Sequence, residues 1–343
     1  MLHTQSHSFW ITTQVSLLGN LSTFVAERQW EQFMTKTSNT SKIAIIGGGS
    51  IGVAFAVLFT SRGFKVSISD PDPNRRRLIE SEVFTKLKNL ERYNLIKESV
   101  DHIITRLKVV PSVEEAVLGA DLVQECVPER LEIKQPLFQR LALLTQETCV
   151  LASSSSFMAS SEFSIGSGAE DRILVAHPGN PPFAIPVIEL VPNPNTSDQT
   201  IARARETYSR AGMSPVLVNM EQEGFIFNRL QGALLREAYS LVRDGIASVD
   251  DIDAVVRDGL GRRWAFMGPF ETVDLNTRGG IASHAEKMGP SYQRMGLERG
   301  DSSEWTPELV SEVSKQRREI LPLEKWEDRV HWRDEELLRR LTN

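Results

Sequence analysis

The sequence predicts an α/β protein in which a doubly wound, mostly parallel sheet is followed by a second, all-α domain. Three observations carry this prediction. From Lys42 onward, short apolar runs alternate with helical stretches, which is typical of parallel strands joined by helices. Beyond about Met220 the strand signal ends and apolar residues recur at helical spacing. The length of 343 residues is sufficient for two domains.

The first domain begins with a strand, a turn and a helix. Lys42-Ile43-Ala44-Ile45-Ile46 is a short apolar run that ends in glycines, as expected of a strand buried on both faces. Residues 53–59 have helical character up to the break at Arg62-Gly63, and residues 65–70 form the second predicted strand. Residues 73–95 are a long, charged stretch with apolar residues at helical spacing, so we predict a second helix.

The later elements continue this alternation. Residues 107–110 are the third predicted strand, and Ser112 is a candidate cap for the next helix, with Glu115 at the reciprocal capping-box position. Further predicted strands cover residues 121–127, 148–152, 172–176, 187–190 and 215–218. In the second domain, predicted helices cover residues 225–242, 248–260 and a charged stretch from about 305 onward.

These elements divide the chain into three segments. Residues 1–41 are rich in Ser, Thr, Gln and Asn, so we expect a disordered or loosely attached extension, with a weak targeting signal as the alternative. Residues 42–219 form the predicted α/β domain, and residues 220–343 form the predicted helical domain.

The composition narrows the possible functions. A net charge of −6 leaves no basic excess to face a polyanion, which argues against binding nucleic acid. No apolar run approaches the roughly 18 residues that a membrane span needs, so we predict no membrane partner. Cys126 and Cys149 both lie in apolar, strand-like runs. We therefore expect buried, reduced thiols and a cytoplasmic location.

The turn after the first strand carries a dinucleotide-binding pattern. Gly47-Gly48-Gly49-Ser50-Ile51-Gly52 fits Gly-x-Gly-x-x-Gly between a predicted strand and a predicted helix. Gly47 permits the tight turn, Gly49 lets the backbone approach a pyrophosphate, and Gly52 lets the helix pack closely on the strand. The loop therefore predicts a Rossmann-like domain, with Ser50 and Ile51 among the cofactor contacts; we predict no metal site.

Asp70 favours NAD as the cofactor. It ends the second predicted strand, where a carboxylate accepts hydrogen bonds from the ribose hydroxyls and repels a 2′-phosphate. Arg75-Arg76-Arg77 lies just beyond and could offer a cation to such a phosphate, although a solvated helix face is the favoured interpretation. We also predict cofactor contacts from Glu129 and Lys134.

His177 and Glu189 are the candidate catalytic pair. His177 directly follows a predicted strand, at the carboxyl end where open α/β sheets bind their ligands. Glu189 interrupts the apolar run of another strand, where a carboxylate is costly unless it is paired. A nearby imidazole is the favoured partner, and a solvated position on an edge strand is the alternative. A base and a carboxylate that orients it suit proton removal from a secondary alcohol.

At this point the chain resembles the 3-hydroxyacyl-CoA dehydrogenase superfamily, and within it the branch of lambda-crystallin and L-gulonate 3-dehydrogenase. The resemblance runs from about Lys42 to the late 280s. It rests on several strings in the right order: Gln124-Glu125-Cys126-Val127-Pro128-Glu129, Ala152-Ser153-Ser154-Ser155-Ser156, His177-Pro178-Gly179-Asn180-Pro181-Pro182, Val187-Ile188-Glu189-Leu190-Val191, Gly224-Phe225-Ile226-Phe227-Asn228-Arg229 and Arg263-Trp264-Ala265-Phe266-Met267-Gly268-Pro269.

Carried over by position, the resemblance implies a role for each of four residues. His177 matches the catalytic base and Glu189 its carboxylate partner, while Ser156 and Asn228 match the polar groups that hold the reacting oxygen. The resemblance also implies an active site between the two domains, and a helical domain that commonly forms the dimer contact. Residues 230–241 are apolar on more than one helix face, which makes a homodimer the expected state.

The predicted substrate is a small L-3-hydroxy acid, with L-gulonate as the first candidate. Arg263 stands where the acyl-CoA enzymes typically have small residues, and its planar fork suits the carboxylate of a free acid. A surface position or a structural ion pair is the alternative for this arginine. An L-3-hydroxyacyl-CoA substrate and a non-catalytic, crystallin-like or NAD-sensing protein are the alternative functions.

Overall fold

The computed structural model describes residues 41–278, 280–298, 308, 315, 319 and 322–340. The predicted extension, residues 1–41, therefore lies outside the described residues apart from Ser41. The helix predicted from about residue 305 falls largely outside them until residue 322.

An eight-stranded sheet organises the first domain, in the order β3-β2-β1-β4-β5-β6-β7-β8. Its strands are β1 Lys42–Ile46, β2 Lys65–Ser69, β3 Leu107–Val110, β4 Leu122–Glu125, β5 Val150–Ser153, β6 Ile173–Pro178, β7 Val187–Pro192 and β8 Ser214–Leu217. Every neighbouring pair is parallel except β6 and β7. The prediction of a mostly parallel, doubly wound sheet is confirmed.

Helices cover both faces of this sheet. They are α1 Ser50–Ser61, α2 Pro73–Arg92, α3 Val100–Ile104, α4 Val113–Val117, α5 Leu131–Leu144, α6 Ser160–Ser164 and α7 Asp198–Arg210. Ile43 and Ile45 of β1 belong to one buried apolar cluster, and Ala44 and Ile46 belong to another. Successive side chains of a strand point to opposite faces, so a strand buried on both sides is apolar throughout.

Local chemistry sets where the helices begin and end. The Asp72 side chain accepts the N–H of Asn74 at the start of α2, and Asn94, with φ +56°, lies just beyond its end. The Ser112 hydroxyl accepts the N–H of Glu115 as predicted. The Glu115 carboxylate in turn accepts from the Ser112 hydroxyl, whereas the predicted capping box would use the backbone N–H of Ser112.

The second domain is helical, as predicted. It contains α8 Phe227–Arg243, α9 Val249–Ala254, a π-helical turn at Val255–Leu260, α10 Gly261–Trp264, α11 Pro269–Asn276 and α12 Gly280–Glu298. The single helix predicted over residues 248–260 is thus an α-helix followed by a π-helical turn. Among the described residues of 227–298, the buried ones are Ser240, Val249 and Thr272.

The last helix, α13 Trp326–Arg340, packs against the first domain. Leu338 is 1% exposed and belongs to the same apolar cluster as Ile43. Arg92 at the end of α2 forms an ion pair with Glu335 of this helix at 3.0 Å. None of the helices in the described part of the chain combines the length and the hydropathy that a membrane crossing requires.

Candidate active site

The glycine loop between β1 and α1 has the geometry of a dinucleotide cradle. Gly47 has φ +105°, and a Cβ atom there would lie 2.6 Å from the carbonyl oxygen of Cys126. A Cβ on Gly52 would lie 2.0 Å from the carbonyl oxygen of Gly47. Both positions therefore exclude any side chain.

The open side of this loop suits a phosphate group. Gly49 is exposed, and a Cβ atom there would meet no atom within 4 Å. The N-cap residue of α1 is Gly49, which has no side chain to accept the first N–H groups, so these groups suit an anion. The residues present thus fit the pyrophosphate of NAD.

Asp70 stands beside the loop at the end of β2. Its Oδ2 accepts the N–H of Gly48 at 2.8 Å, and its Oδ1 accepts the N–H of Asp72 at 3.0 Å. The carboxylate is thereby fixed at the place where this fold binds the adenosine ribose.

The three arginines that follow do not form a uniform solvated face. Arg75 Nε donates to the carbonyl oxygen of Gly48 at 2.5 Å, and Arg76 donates to the carbonyl oxygen of Asp70 at 2.6 Å. Only Arg77 is exposed, with a 3.3 Å hydrogen bond to Asn74. The interpretation of a solvated face therefore fits Arg77 alone.

The structure brings His177 and Glu189 together. The antiparallel register of β6 and β7 places the two residues opposite each other, and Nδ1 of His177 lies 2.7 Å from Oε2 of Glu189. The two side chains are 8% and 3% exposed. The pair therefore lies in a largely desolvated position, where a charge-assisted hydrogen bond is stronger than in water.

The other oxygen of Glu189 is bound to the start of the helical domain. Oε1 accepts the N–H of Ile226 at 2.7 Å and the N–H of Phe227 at 2.9 Å, where α8 begins. Burial alone would raise the pKa of Glu189, but His177 and these two N–H donors hold it below its ordinary value. Glu189 is thus a carboxylate at neutral pH.

The charge on Glu189 decides the tautomer of His177. Because a carboxylate can only accept, a neutral imidazole in this contact carries its proton on Nδ1 and has its lone pair on Nε2. Nε2 has no hydrogen-bond partner within the described residues. This geometry leaves Nε2 able to accept a proton from a bound molecule.

Two aromatic rings flank this imidazole, and neither was predicted to belong to the site. The ring centroids of Phe225 and Phe227 lie 5.7 and 6.2 Å from that of His177. Phe225 has the unusual φ of +48° and follows Gly224, whose φ is +74°. The only sequence signal for these rings is the string 224–229, because their contact with His177 spans about fifty residues.

Ser156 and Asn228 are also brought together. Asn228 Nδ2 donates to the backbone carbonyl of Ser156 at 3.1 Å. The hydroxyl of Ser156 has no hydrogen bond to the described residues. This arrangement ties the loop after β5 to the first turn of α8 and leaves the Ser156 hydroxyl available.

Glu129 shapes that same loop from the other side. Its carboxylate accepts the backbone N–H groups of Ser156, Phe157 and Met158 at 3.2, 2.8 and 2.6 Å. Burial would raise the pKa of Glu129, but these three donors hold it below its ordinary value. Glu129 thus remains charged and positions the segment that carries Ser156.

Lys134 lies in a buried ion pair. Its ammonium group is 1% exposed and lies 2.8 and 2.6 Å from the two carboxylate oxygens of Glu125. Nζ also lies 3.2 Å from the hydroxyl of Ser153. These partners enclose the charge, and the cofactor contact of Lys134 stays a prediction.

Arg263 lies on the short helix α10 and is partly exposed. Its guanidinium has no ion pair or hydrogen bond to any residue that the structure describes. The structural ion pair considered for this residue is therefore absent from the described part of the chain. Its role toward a carboxylate stays a prediction.

The dinucleotide cradle defines the class of protein. Together with the comparisons below, it identifies an NAD-dependent dehydrogenase that acts on a CH–OH group. Residues 42–221 match the NAD-binding domain of 3-hydroxyacyl-CoA dehydrogenase, and residues 224–319 match its C-terminal domain. The chain belongs to the 3-hydroxyacyl-CoA dehydrogenase family.

The relatives of this chain include proteins with different names and activities. It is 36% identical to lambda-crystallin of Oryctolagus cuniculus over 301 residues, which cover 87% of this chain and 94% of that protein. It is 37% identical to L-carnitine dehydrogenase of Streptomyces coelicolor over 289 residues, which cover 82% and 86%. The solved structure of 5-formyl-3-hydroxy-2-methylpyridine 4-carboxylic acid 5-dehydrogenase, an NAD⁺-dependent dismutase, matches with a TM-score of 0.67 and 25% identity, covering 83% of this chain and 97% of that one.

Proposed function

We propose that this dehydrogenase oxidises the 3-hydroxyl of a small L-3-hydroxy acid of the L-gulonate type to the 3-keto acid. The observation that carries the proposal is the buried contact of 2.7 Å between His177 and the carboxylate of Glu189. Oxidation of a secondary alcohol requires a base for the hydroxyl proton and an acceptor for the hydride, and an imidazole held in one tautomer beside bound NAD would supply both.

In the proposed mechanism His177 moves the proton. Bound NAD supplies the acceptor for the hydride that leaves the same carbon. Nε2 of His177 takes the hydroxyl proton, and Glu189 stabilises the imidazolium that results. In the reverse direction the imidazolium returns this proton to the forming alkoxide.

Ser156 and Asn228 are proposed to hold the reacting oxygen. The hydroxyl of Ser156, which has no hydrogen bond to the described residues, supports this role. The 3.1 Å hydrogen bond from Asn228 to the Ser156 carbonyl links the two residues. Glu129 supports the same site indirectly, because it fixes the backbone of Ser156. Gly47, Gly49, Ser50, Ile51, Gly52 and Asp70 are proposed to hold the cofactor.

A panel of alcohols tests the proposed reaction. Purified protein is mixed with NAD and, separately, with L-gulonate, L-3-hydroxybutyrate, L-carnitine and 3-hydroxybutyryl-CoA, and the absorbance of NADH is followed. We expect the highest kcat/KM with a free acid, L-gulonate first. A preference for the thioester would instead favour the acyl-CoA alternative, and absence of turnover with every compound would favour the non-catalytic alternative.

Arg263 is proposed to bind the carboxylate of the substrate. We expect Arg263→Ala to raise the KM for free hydroxy acids by about 10- to 100-fold, because a charge-assisted hydrogen bond contributes about 1.5–3 kcal/mol. Steady-state kinetics with the preferred free acid and with 3-hydroxybutyryl-CoA measure this effect. The thioester should be unaffected, since it lacks the carboxylate.

The neighbouring Arg262 provides the matched control for this experiment. Its side chain is exposed on the same short helix, so Arg262→Ala removes the same charge one position away. We expect it to leave the KM for free acids within about twofold of the native value. An unchanged KM in Arg263→Ala for every free acid would show that the carboxylate binds elsewhere.

We also propose that the protein is a homodimer through its helical domain. Leu230, Leu234 and Leu235 of α8 are 61%, 36% and 38% exposed, and Phe266 and Phe270 are 74% and 77% exposed. Apolar area on this scale, in a domain with few buried residues, favours association with a second copy. We expect a solution mass of twice the monomer mass of 38.5 kDa.

Two substitutions test this interface. Leu230→Lys with Leu234→Lys should raise the dimer dissociation constant by at least about 100-fold, because each buried leucine contributes about 1.5–3 kcal/mol. Sedimentation equilibrium over a range of concentrations measures the constant. Leu143→Lys is the control, because Leu143 is 88% exposed on the first domain. A native protein that sediments as a monomer would refute the proposed dimer.

The cytoplasm is the proposed location. Cys126 and Cys149 are unpaired, and burial raises the pKa of each thiol to about 12. Both thiols are therefore protonated at neutral pH, which suits a reducing compartment.

A further inference from the structure

Two side chains of opposite charge form hydrogen bonds with the backbone of one glycine in the cofactor loop. The carboxylate of Asp70 accepts the N–H of Gly48 at 2.8 Å, and Nε of Arg75 donates to the carbonyl oxygen of Gly48 at 2.5 Å. Arg75 is thus held at the same part of the loop as the carboxylate that selects the adenosine ribose. In this fold, a nearby arginine at such a position is what accommodates the 2′-phosphate of NADP.

Both terminal nitrogens of Arg75 are also engaged. NH1 and NH2 donate to the two carboxylate oxygens of Glu82 at 2.5 and 2.6 Å, in a bidentate pair. The two residues stand seven positions apart on α2, so they share one face of the helix. Between them, Ile79 is fully buried and packs against the loop, where its Cδ1 would lie 2.5 Å from a Cβ atom on Gly48. The helix face is therefore fixed relative to the loop.

We propose that Glu82 is a second determinant of the preference for NAD, because it occupies and neutralises the arginine that would otherwise bind a 2′-phosphate. Asp70 excludes the phosphate by its own negative charge. Glu82 excludes it by neutralising Arg75 and by engaging the edge of the guanidinium formed by its two terminal nitrogens. The side chains of Arg75 and Glu82 are 23% and 38% exposed, so the pair is partly shielded from competing solvent.

This arrangement predicts that the two carboxylates act together. When Asp70 alone is neutralised, Arg75 stays paired with Glu82. When Glu82 alone is neutralised, Arg75 faces Asp70, which takes over as its partner and still repels a phosphate. Only the loss of both carboxylates leaves Arg75 charged and available, so the effects on NADPH binding are not additive.

A double-mutant cycle measures this coupling without any turnover. The dissociation constants of NADPH and NADH are measured by calorimetric titration for the native protein, Asp70→Asn, Glu82→Gln and the double variant. We expect each single change to tighten NADPH binding less than about 5-fold and the double change to tighten it more than about 100-fold. Asp70→Asn should also weaken NADH binding, because a ribose hydrogen bond is lost.

The arginines supply the controls. Adding Arg75→Gln to the double variant should remove the gain in NADPH binding. Adding Arg77→Gln should preserve it, because Arg77 is exposed and, among the described residues, its side chain bonds to Asn74 alone. Melting temperatures establish that each variant is folded, and Glu82→Ala serves as a second variant at this partly exposed position. The proposal would be overturned if the gain in NADPH affinity of the double variant equalled the product of the two single-variant gains. It would also be overturned if that gain persisted after Arg75→Gln was added.

Discussion

Replacing His177 by glutamine is expected to lower kcat by about 10²- to 10⁴-fold, which is the range that a positioned general base contributes. Glutamine approximates the size of the imidazole but cannot take a proton at neutral pH. The loss should appear in kcat and kcat/KM together, because proton transfer belongs to the transition state. Steady-state kinetics with the preferred hydroxy acid measure both constants.

Binding of the cofactor separates this effect from a loss of structure. The dissociation constant of NADH should stay within about threefold of the native value, since the cradle at Gly47–Gly52 is independent of the His177 side chain. His102→Gln is the matched control, because the His102 side chain is 64% exposed and pairs with Glu98, which is also exposed. Native kcat in His177→Gln would assign the base to another residue.

Replacing Glu189 by glutamine is expected to lower kcat by about 10³- to 10⁴-fold, as in other enzymes where a carboxylate orients a catalytic imidazole. An amide can donate to Nδ1 and so place the imidazole proton on Nε2. In that tautomer Nε2 cannot act as a base. The same steady-state assay measures the loss, and Glu206→Gln, at an exposed position of α7, is the control.

The Glu189 variant also has a defined effect on stability. The pKa of Glu189 is lowered in the folded protein, so its ionised form stabilises the fold above the unfolded pKa of about 4.3. This contribution is lost as the pH falls through the lower, folded pKa. Urea unfolding should therefore show the native protein more stable than Glu189→Gln at pH 7, with the difference shrinking below about pH 4. A difference that is constant with pH would contradict the ionised pair.

The effects of the His177 and Glu189 substitutions on kcat should not be additive. If His177 and Glu189 act as one unit, the double variant should be no slower than His177→Gln within about threefold. Multiplicative losses would mean that each residue contributes separately, and the proposed pairing would then be wrong.

Much of the site could be anticipated from short strings. The apolar run of β1 and the glycines after it predict the cradle, because burial and φ restrict the residues allowed at each position. The carboxylate of Glu189 within an apolar strand predicts a buried partner. The register of β6 and β7 then places His177 opposite it.

Other features could not be anticipated in this way. Three adjacent arginines have the same sequence signature, yet Arg75 binds the carbonyl oxygen of Gly48, Arg76 binds that of Asp70, and Arg77 is exposed. Lys134 has an ordinary place in a helical pattern, yet its charge is enclosed by Glu125. Nothing local distinguishes these outcomes, because the partner of a charge is chosen by distance in space.

The sequence by itself determined the sheet, the dinucleotide loop and the order of the two domains. These follow from periodic burial and from backbone conformations that only glycine adopts, which are properties of neighbouring residues. Only the tertiary structure decided that Glu189 binds the first turn of α8, that Glu82 occupies Arg75, and that α13 returns to the first domain. Each of these contacts joins separate turns or elements, so it depends on how they pack and not on the residues beside it in the chain.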